Sequence, residues 1–144
     1  MTTHILPRNV SRSSALTTDH ASSSEQNAKH LLTQIGRTYR FEAAHHLPLL
    51  PATHKCHNMH GHNYRVEIVV CGIADERGFV MDFAELDAEI LPLITRLDHR
   101  VLNDVEGLEN PTAEVIAAWF FERVSNCQSV RVFENDDCWA EVAR

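Results

Sequence analysis

A dense group of histidines constrains what this chain can fold into. Residues 45–62 hold six of the ten histidines in the sequence, together with Cys56. His60 and His62 stand two residues apart and lead into residues 63–70, where every second residue from Tyr64 onward is apolar. A period of two predicts a β-strand, and it places His60 and His62 on the same side of that strand.

A second strand is predicted upstream, at residues 35–45, where Tyr39, Phe41 and Ala43 recur at every second position and His45 ends the run. If the two strands pair, the imidazoles of His45 and of the two downstream histidines converge. Three histidine nitrogens with the fourth tetrahedral position free are typical of a catalytic zinc, whereas structural zinc sites are usually closed by four protein ligands. The pattern therefore indicates a Zn2+ site with an open position for chemistry.

The role of Cys56 stays open at this point. It stands four residues before His60, where it is either a fourth metal ligand or a nucleophile or base held beside the metal. A histidine-rich loop with only adventitious metal affinity is the competing interpretation. The strand alternation of the histidines argues against that interpretation, because a solvated loop has no reason to follow it.

The first 34 residues differ from the remainder of the chain. They contain six serines and show no hydrophobic periodicity, which predicts a disordered leader at 1–34 and one folded domain at 35–144. No apolar run reaches the roughly 20 residues of a membrane helix, so no membrane partner is expected.

Charge and cysteine content narrow the class of protein further. The formal net charge is −7, which argues against a nucleic-acid partner, since a phosphate backbone requires a basic face. The four cysteines have no regular spacing and no secretion signal precedes them, so a reducing, cytoplasmic location is expected. Three of them, Cys71, Cys127 and Cys138, are predicted to be small buried hydrophobes.

The order of elements predicts an α+β fold. Strands are predicted at 35–45, 60–72, 129–134 and 138–142. One helix begins after the capping residue Asp82, with a kink or break expected at Pro92. A second helix is predicted to have Asn110 as its cap and Pro111 as its first residue. The expected architecture is an antiparallel four-stranded sheet with both helices on one face, and its uncovered face and edges predict a homo-oligomer.

Several motifs, in this order, resemble the 6-pyruvoyltetrahydropterin synthase family. They are Phe41-Glu42-Ala43-Ala44-His45, Cys56 with His60-Gly61-His62, Met81-Asp82-Phe83, Leu97-Asp98-His99, Leu102-Asn103-Asp104, and Glu109-Asn110-Pro111-Thr112 with Glu114. The more specific resemblance is to the 6-carboxy-5,6,7,8-tetrahydropterin synthase branch, which serves queuosine biosynthesis. It covers residues 35–144.

The resemblance implies a fold, a metal and a set of site residues. The fold is the tunnelling fold (T-fold), in which subunits join their sheets into an oligomeric barrel, here a hexamer, with sites between subunits. Zinc is held by His45, His60 and His62, and Cys56 is the catalytic base. The remaining implied residues are the catalytic pair Asp98 and His99, the pterin anchor Glu134, and the pocket members Thr112 and Glu114. Asn135 departs from the family, which usually has Thr or Ser after the anchoring acid.

The implied reaction converts 7,8-dihydroneopterin triphosphate to 6-carboxy-5,6,7,8-tetrahydropterin, acetaldehyde and triphosphate. One alternative is the 6-pyruvoyltetrahydropterin synthase reaction of the tetrahydrobiopterin pathway, whose enzymes usually have a longer spacing between the cysteine and His-Gly-His. The other is a non-catalytic zinc-binding paralogue. Such a paralogue has no need of Cys56, His99 and Glu134 together, so their joint presence argues against it.

Overall fold

The computed structural model describes residues 31–144. The predicted leader at 1–34 lies outside the described residues except for its last four positions, and three of those already belong to the first strand, Leu32–His45 (β1). None of the helices in this part of the chain has both the length and the apolar composition needed to cross a membrane.

Within residues 31–144 the sheet has five strands and is mixed, so the prediction of a four-stranded antiparallel sheet is wrong. Besides β1, the strands are His60–Ile73 (β2), Arg100–Val101 (β3), Cys127–Phe133 (β4) and Trp139–Ala143 (β5). Their spatial order is β3-β1-β2-β4-β5, and only β3 runs parallel to its neighbour, β1. The additional strand arises at His99, where a left-handed backbone conformation (φ 57°) turns the chain onto the free edge of β1.

Two helices cover one face of the sheet, as predicted. The first, Phe83–Leu97 (α1), begins after the cap Asp82, whose carboxylate accepts a hydrogen bond from the N–H of Ala84 at 2.8 Å. We expected a kink or a break at Pro92, and the helix continues through this residue without a break. Pro92 is exposed, while Ile90 and Leu97 on either side of it are fully buried and hold both halves of the helix against the sheet.

The second helix, Ala113–Phe121 (α2), begins later than predicted. Its cap is Thr112, whose hydroxyl accepts from the N–H of Val115 at 3.3 Å, so neither Asn110 nor Pro111 has the predicted role. Pro111 stays outside the helix, and its carbonyl group is used elsewhere, as described below.

A single core lies between the helices and the sheet. Alternate residues of β1 and β2 point into it, among them Tyr39, Phe41, Tyr64, Val66 and Ile68. Helix residues such as Leu86 and Phe120 belong to the same buried cluster. Because β1 and β2 pair over their whole length, the alternation that fills this core continues to the end of the hairpin, where apolar residues give way to histidines.

Candidate metal centre and active site

The strand register brings the three histidines together. In the antiparallel β1–β2 pair, His45 lies opposite His60, and Ala43 lies opposite His62. Directly opposed residues share a face, so all three imidazoles lie on the helix-covered side at the end of the sheet. The ring centroids are 4.5 Å apart for His45 and His60, 5.1 Å for His45 and His62, and 5.0 Å for His60 and His62.

Two of these rings are oriented by backbone carbonyl groups. Nδ1 of His45 donates to the carbonyl of Pro111 at 2.8 Å, and Nδ1 of His60 donates to the carbonyl of Asn58 at 2.8 Å. A carbonyl group only accepts, so both Nδ1 atoms carry the proton and both Nε2 atoms keep a lone pair. These two Nε2 atoms face each other at 3.0 Å.

The third histidine completes the set of ligands. Nε2 of His62 is buried and has no hydrogen-bond partner among the described residues. One ligand atom from each of the three histidines lies within 4.8 Å of the others. Burial lowers the pKa of His45 and of His62, which keeps both rings in the neutral form that binds metals. Facing lone pairs and an unpartnered buried nitrogen are what a cation between the rings would satisfy, so the residues fit a metal ion.

The loop between the two strands holds Cys56 next to this cluster. The carbonyl of Cys56 accepts from the N–H of Leu47 at 2.8 Å, and its own N–H donates to Nδ1 of His54 at 3.1 Å. His57 ties the same loop by donating from Nδ1 to the carbonyl of Leu50 at 3.0 Å. His54 and His57 therefore help to form this loop. Cys56 is not part of the cluster of close ligand atoms. This argues against Cys56 as a metal ligand and favours a role beside a bound metal.

A cavity of about 340 Å³ lies over the three histidines. Cys56, Glu134 and Cys138 also line it. The prediction that Cys138 is a buried hydrophobe is wrong, because its side chain is exposed at this cavity. The turn after β4 places it there: the carbonyl of Cys138 accepts from the N–H of Glu134 at 3.1 Å, and Oδ1 of Asn135 accepts from the N–H of Cys138 at 2.8 Å.

Asp98 and His99 form a hydrogen-bonded pair at the end of α1. Nδ1 of His99 lies 3.0 Å from Oδ1 of Asp98, and Nε2 lies 3.8 Å from Oε2 of Glu42. The backbone N–H of Glu42 also donates to Asp98 at 2.9 Å, and this bond, with a smaller contribution from His99, lowers the pKa of the Asp98 carboxyl group. Asp98 is thus a carboxylate that orients the His99 ring.

A wider cleft of about 880 Å³ lies at the end of the sheet, where residues 42–44 of β1 and 61–63 of β2 line it. His99, His62 and Glu134 line it, together with Arg40 and Arg100. Glu134 therefore borders both the cavity over the histidines and this cleft. The His99 side chain is 75% exposed, so the cleft leaves it accessible.

Comparison with known proteins decides the family. The family model described as 6-pyruvoyl tetrahydropterin synthase matches residues 34–144. The chain belongs to the 6-pyruvoyl tetrahydropterin synthase family. The resemblance seen in the motifs is thereby confirmed for the whole folded domain.

Relatives within the family include enzymes of the carboxy branch. A 6-carboxy-5,6,7,8-tetrahydropterin synthase from Synechocystis is 42% identical over 111 residues, covering 69% of this chain and 84% of that one. A chain from Archaeoglobus fulgidus, provisionally named as the same synthase, is 40% identical over 114 residues, covering 76% and 95%. Among solved structures, the 6-pyruvoyl tetrahydropterin synthase of Caenorhabditis elegans has a TM-score of 0.72 at 28% identity, covering 79% and 96%.

Two residues that the family resemblance assigned to the pocket lie elsewhere in this chain. Thr112 caps α2, and Glu114 is exposed in the first turn of that helix; neither lines the cavity or the cleft. Conversely, no residue pattern indicated that Pro111 orients His45 or that Cys138 reaches the cavity. Both depend on contacts between distant segments, and only the presence of Pro111 in a family motif marked its segment as important.

Proposed function

We propose that this chain is a 6-carboxy-5,6,7,8-tetrahydropterin synthase of queuosine biosynthesis. With water as co-substrate, it converts 7,8-dihydroneopterin triphosphate to 6-carboxy-5,6,7,8-tetrahydropterin, acetaldehyde and triphosphate, and it works in the cytoplasm. The observation that carries the proposal is the shared cavity, which is lined by the three histidines, Cys56 and Glu134, with one ligand atom from each histidine within 4.8 Å of the others. Family membership and the relatives of the carboxy branch support it.

The metal in this proposal is zinc, held by His45, His60 and His62. An all-nitrogen set with one position left open suits a catalytic zinc ion. When bound, the ion supplies Lewis-acid polarisation of the hydroxyl oxygens on the substrate side chain. The protein contributes the fixed tautomers of His45 and His60, set by the carbonyl groups of Pro111 and Asn58, so that the ligand atoms point into the cavity without rearrangement.

Cys56 is the proposed base. Its loop is tied at Leu47 and His54, which holds the thiol at the wall of the cavity, where it removes a carbon-bound proton from the substrate side chain. Glu134 is the proposed pterin anchor, whose carboxylate accepts two hydrogen bonds from the pterin ring while the side chain of the substrate reaches the histidines. Its position at the border of both the cavity and the open cleft supports this role.

His99 is the proposed proton relay, with Asp98 as its orienting partner. Asp98 holds the proton on Nδ1, which leaves Nε2 free to accept or return a proton in the cleft. Because His99 is largely exposed and Thr112 and Glu114 lie away from the cavity, we further propose that a homo-oligomer, a hexamer by family resemblance, completes the site. In that assembly Thr112 and Glu114 of one subunit serve the pocket of another.

Product analysis tests the proposal. The zinc-loaded protein is incubated with 7,8-dihydroneopterin triphosphate, the pterin product is identified by mass spectrometry, and acetaldehyde is trapped as a hydrazone. Cys56→Ala is the test variant, and Cys71→Ala, which changes a cysteine outside the cavity, is its matched control. We expect 6-carboxytetrahydropterin and acetaldehyde from the wild type and from Cys71→Ala, and neither from Cys56→Ala.

A second candidate function is the 6-pyruvoyltetrahydropterin synthase reaction. The structural likeness to the Caenorhabditis elegans enzyme favours it, and the two activities share the proposed metal, thiol and Asp-His pair. A 6-pyruvoyl product without acetaldehyde would assign the chain to this reaction. Tight zinc binding with no turnover of the substrate would instead indicate a non-catalytic zinc-binding paralogue.

A further inference from the structure

The side chain of Asn103 makes three hydrogen bonds to the backbone near the metal centre. It lies in the short 3-10 turn Leu102–Asp104 that follows β3. Its Oδ1 accepts from the N–H of His46 at 3.0 Å, and its Nδ2 donates to the carbonyl groups of His46 at 2.8 Å and Glu109 at 3.2 Å. The reversed amide would set its oxygen against two carbonyl oxygens, so the network fixes its orientation.

These bonds join the two segments that orient His45. His46 follows His45 directly at the end of β1, and Glu109 lies two residues before Pro111, whose carbonyl accepts from Nδ1 of His45. The backbone pairing of β1 with β3 ends at Ala44 and Val101. Beyond that point the amide of Asn103 takes over, pairing with both backbone groups of His46 as a neighbouring strand would.

We propose that Asn103 is a positioning residue for the metal ligand His45. By holding the chain before Pro111 against the end of β1, it keeps the Pro111 carbonyl within 2.8 Å of Nδ1, and thereby keeps the lone pair of His45 on Nε2, facing His60. Asparagine is required at position 103 because both N–H donors of its amide group and the amide oxygen are used. Aspartate has the same shape but no donor, and it would place a carboxylate oxygen against two carbonyl oxygens.

The inference rests on the metal centre of the proposed function but not on the reaction, so its test uses zinc alone. Zinc affinity is measured by competition with a chromophoric chelator for the wild type, Asn103→Asp and Asp104→Asn. The last is the matched control, since it makes the reverse exchange on the neighbouring residue, whose exposed side chain makes no hydrogen bond to the described residues. In parallel, ¹⁵N-histidine NMR of the metal-free proteins reports which nitrogen of His45 carries the proton.

We expect Asn103→Asp to weaken zinc binding at least about tenfold and to lose the protonated Nδ1 signal of His45, with Asp104→Asn within about twofold of the wild type. Should Asn103→Asp not fold, the uncharged Asn103→Ser takes its place with the same expectation. An affinity within twofold of the wild type in a folded variant, or an intact His45 signal, overturns the inference, as does failure of both variants to fold. A wild type that binds no zinc overturns the proposed metal centre as well, whereas zinc binding without pterin turnover overturns only the proposed reaction.

Discussion

Replacing His62 with phenylalanine separates its role as a ligand from its role in packing. The aromatic ring that contacts Tyr64 and His45 at centroid distances of 5.5 and 5.1 Å is retained, while the buried, unpartnered Nε2 is removed. Without metal, the variant is relieved of an unsatisfied buried nitrogen, worth about 1–3 kcal/mol, but carries a slightly larger ring that costs a similar amount. Its free energy of unfolding with chelator present should therefore lie within about 1 kcal/mol of the wild type.

In the presence of zinc, the free energy of unfolding of the wild type should exceed that of the variant. At a zinc concentration about 100 times the dissociation constant of the wild type, binding stabilises the native state by about 2.7 kcal/mol. For a domain of this size that corresponds to a rise in melting temperature of roughly 10 °C. If loss of one of three ligands weakens binding about 100-fold, the variant gains only about 0.4 kcal/mol at the same zinc concentration.

Urea unfolding followed by circular dichroism, with chelator and with zinc, measures all four free energies. Equal stabilisation of His62→Phe and the wild type by zinc would show that His62 is not a ligand. A variant more than about 2 kcal/mol less stable than the wild type in chelator would contradict the expected near-equality. That result would show that Nε2 of His62 has a structural partner rather than an unmet need for a cation.

Single contacts at Cys56, Tyr64 and Asp98 can each be tested by one substitution. Cys56→Ser should bind zinc within about threefold of the wild type and lose turnover, as measured by chelator competition and product assay; a large loss of zinc affinity would instead make Cys56 a ligand. Tyr64→Phe should raise the free energy of unfolding by about 1 kcal/mol in urea titrations, because the Tyr64 hydroxyl is buried without a partner among the described residues; a loss of stability would reveal a partner. Asp98 has a pKa below its ordinary value, so the unfolded chain takes up its proton first and the stabilisation from this group is lost as the pH falls below about 4. The stability of Asp98→Asn should therefore fall less steeply than that of the wild type in acid unfolding between pH 4 and 2, and parallel curves would contradict the shift.

The histidine cluster was predictable because its signal in the sequence is local and periodic. A strand presents every second residue to one face, so the spacing of His60 and His62 and the run that ends at His45 already fixed which rings share a side. Two strands that are neighbours in the sequence most simply pair as a hairpin. This pairing brings the three histidine rings together. The two helices on one face were predictable for the same reason, since their apolar stripes follow the period of a helix.

The predictions of the second helix cap and of the number of strands were wrong because contacts between distant segments determine these local structures. Asn110 and Thr112 are both suitable caps on either side of Pro111, and the hydrogen bond from His45 to the Pro111 carbonyl accompanies the choice of Thr112. The short strand β3 depends on the left-handed conformation of His99, whose N–H donates to the Glu42 carbonyl at 2.6 Å. Neither contact is accompanied by a hydrophobic periodicity from which the sequence could predict it.

X-ray absorption spectroscopy at the zinc edge is the most direct test of an open zinc site with three histidine ligands, because it identifies the atoms bound to the metal. We expect three nitrogen scatterers at about 2.0–2.1 Å and a light fourth atom, with no sulfur. The spectrum of Cys56→Ser should be unchanged. A sulfur scatterer at about 2.3 Å would show that a thiolate closes the site, which would contradict an open catalytic centre with Cys56 beside the metal.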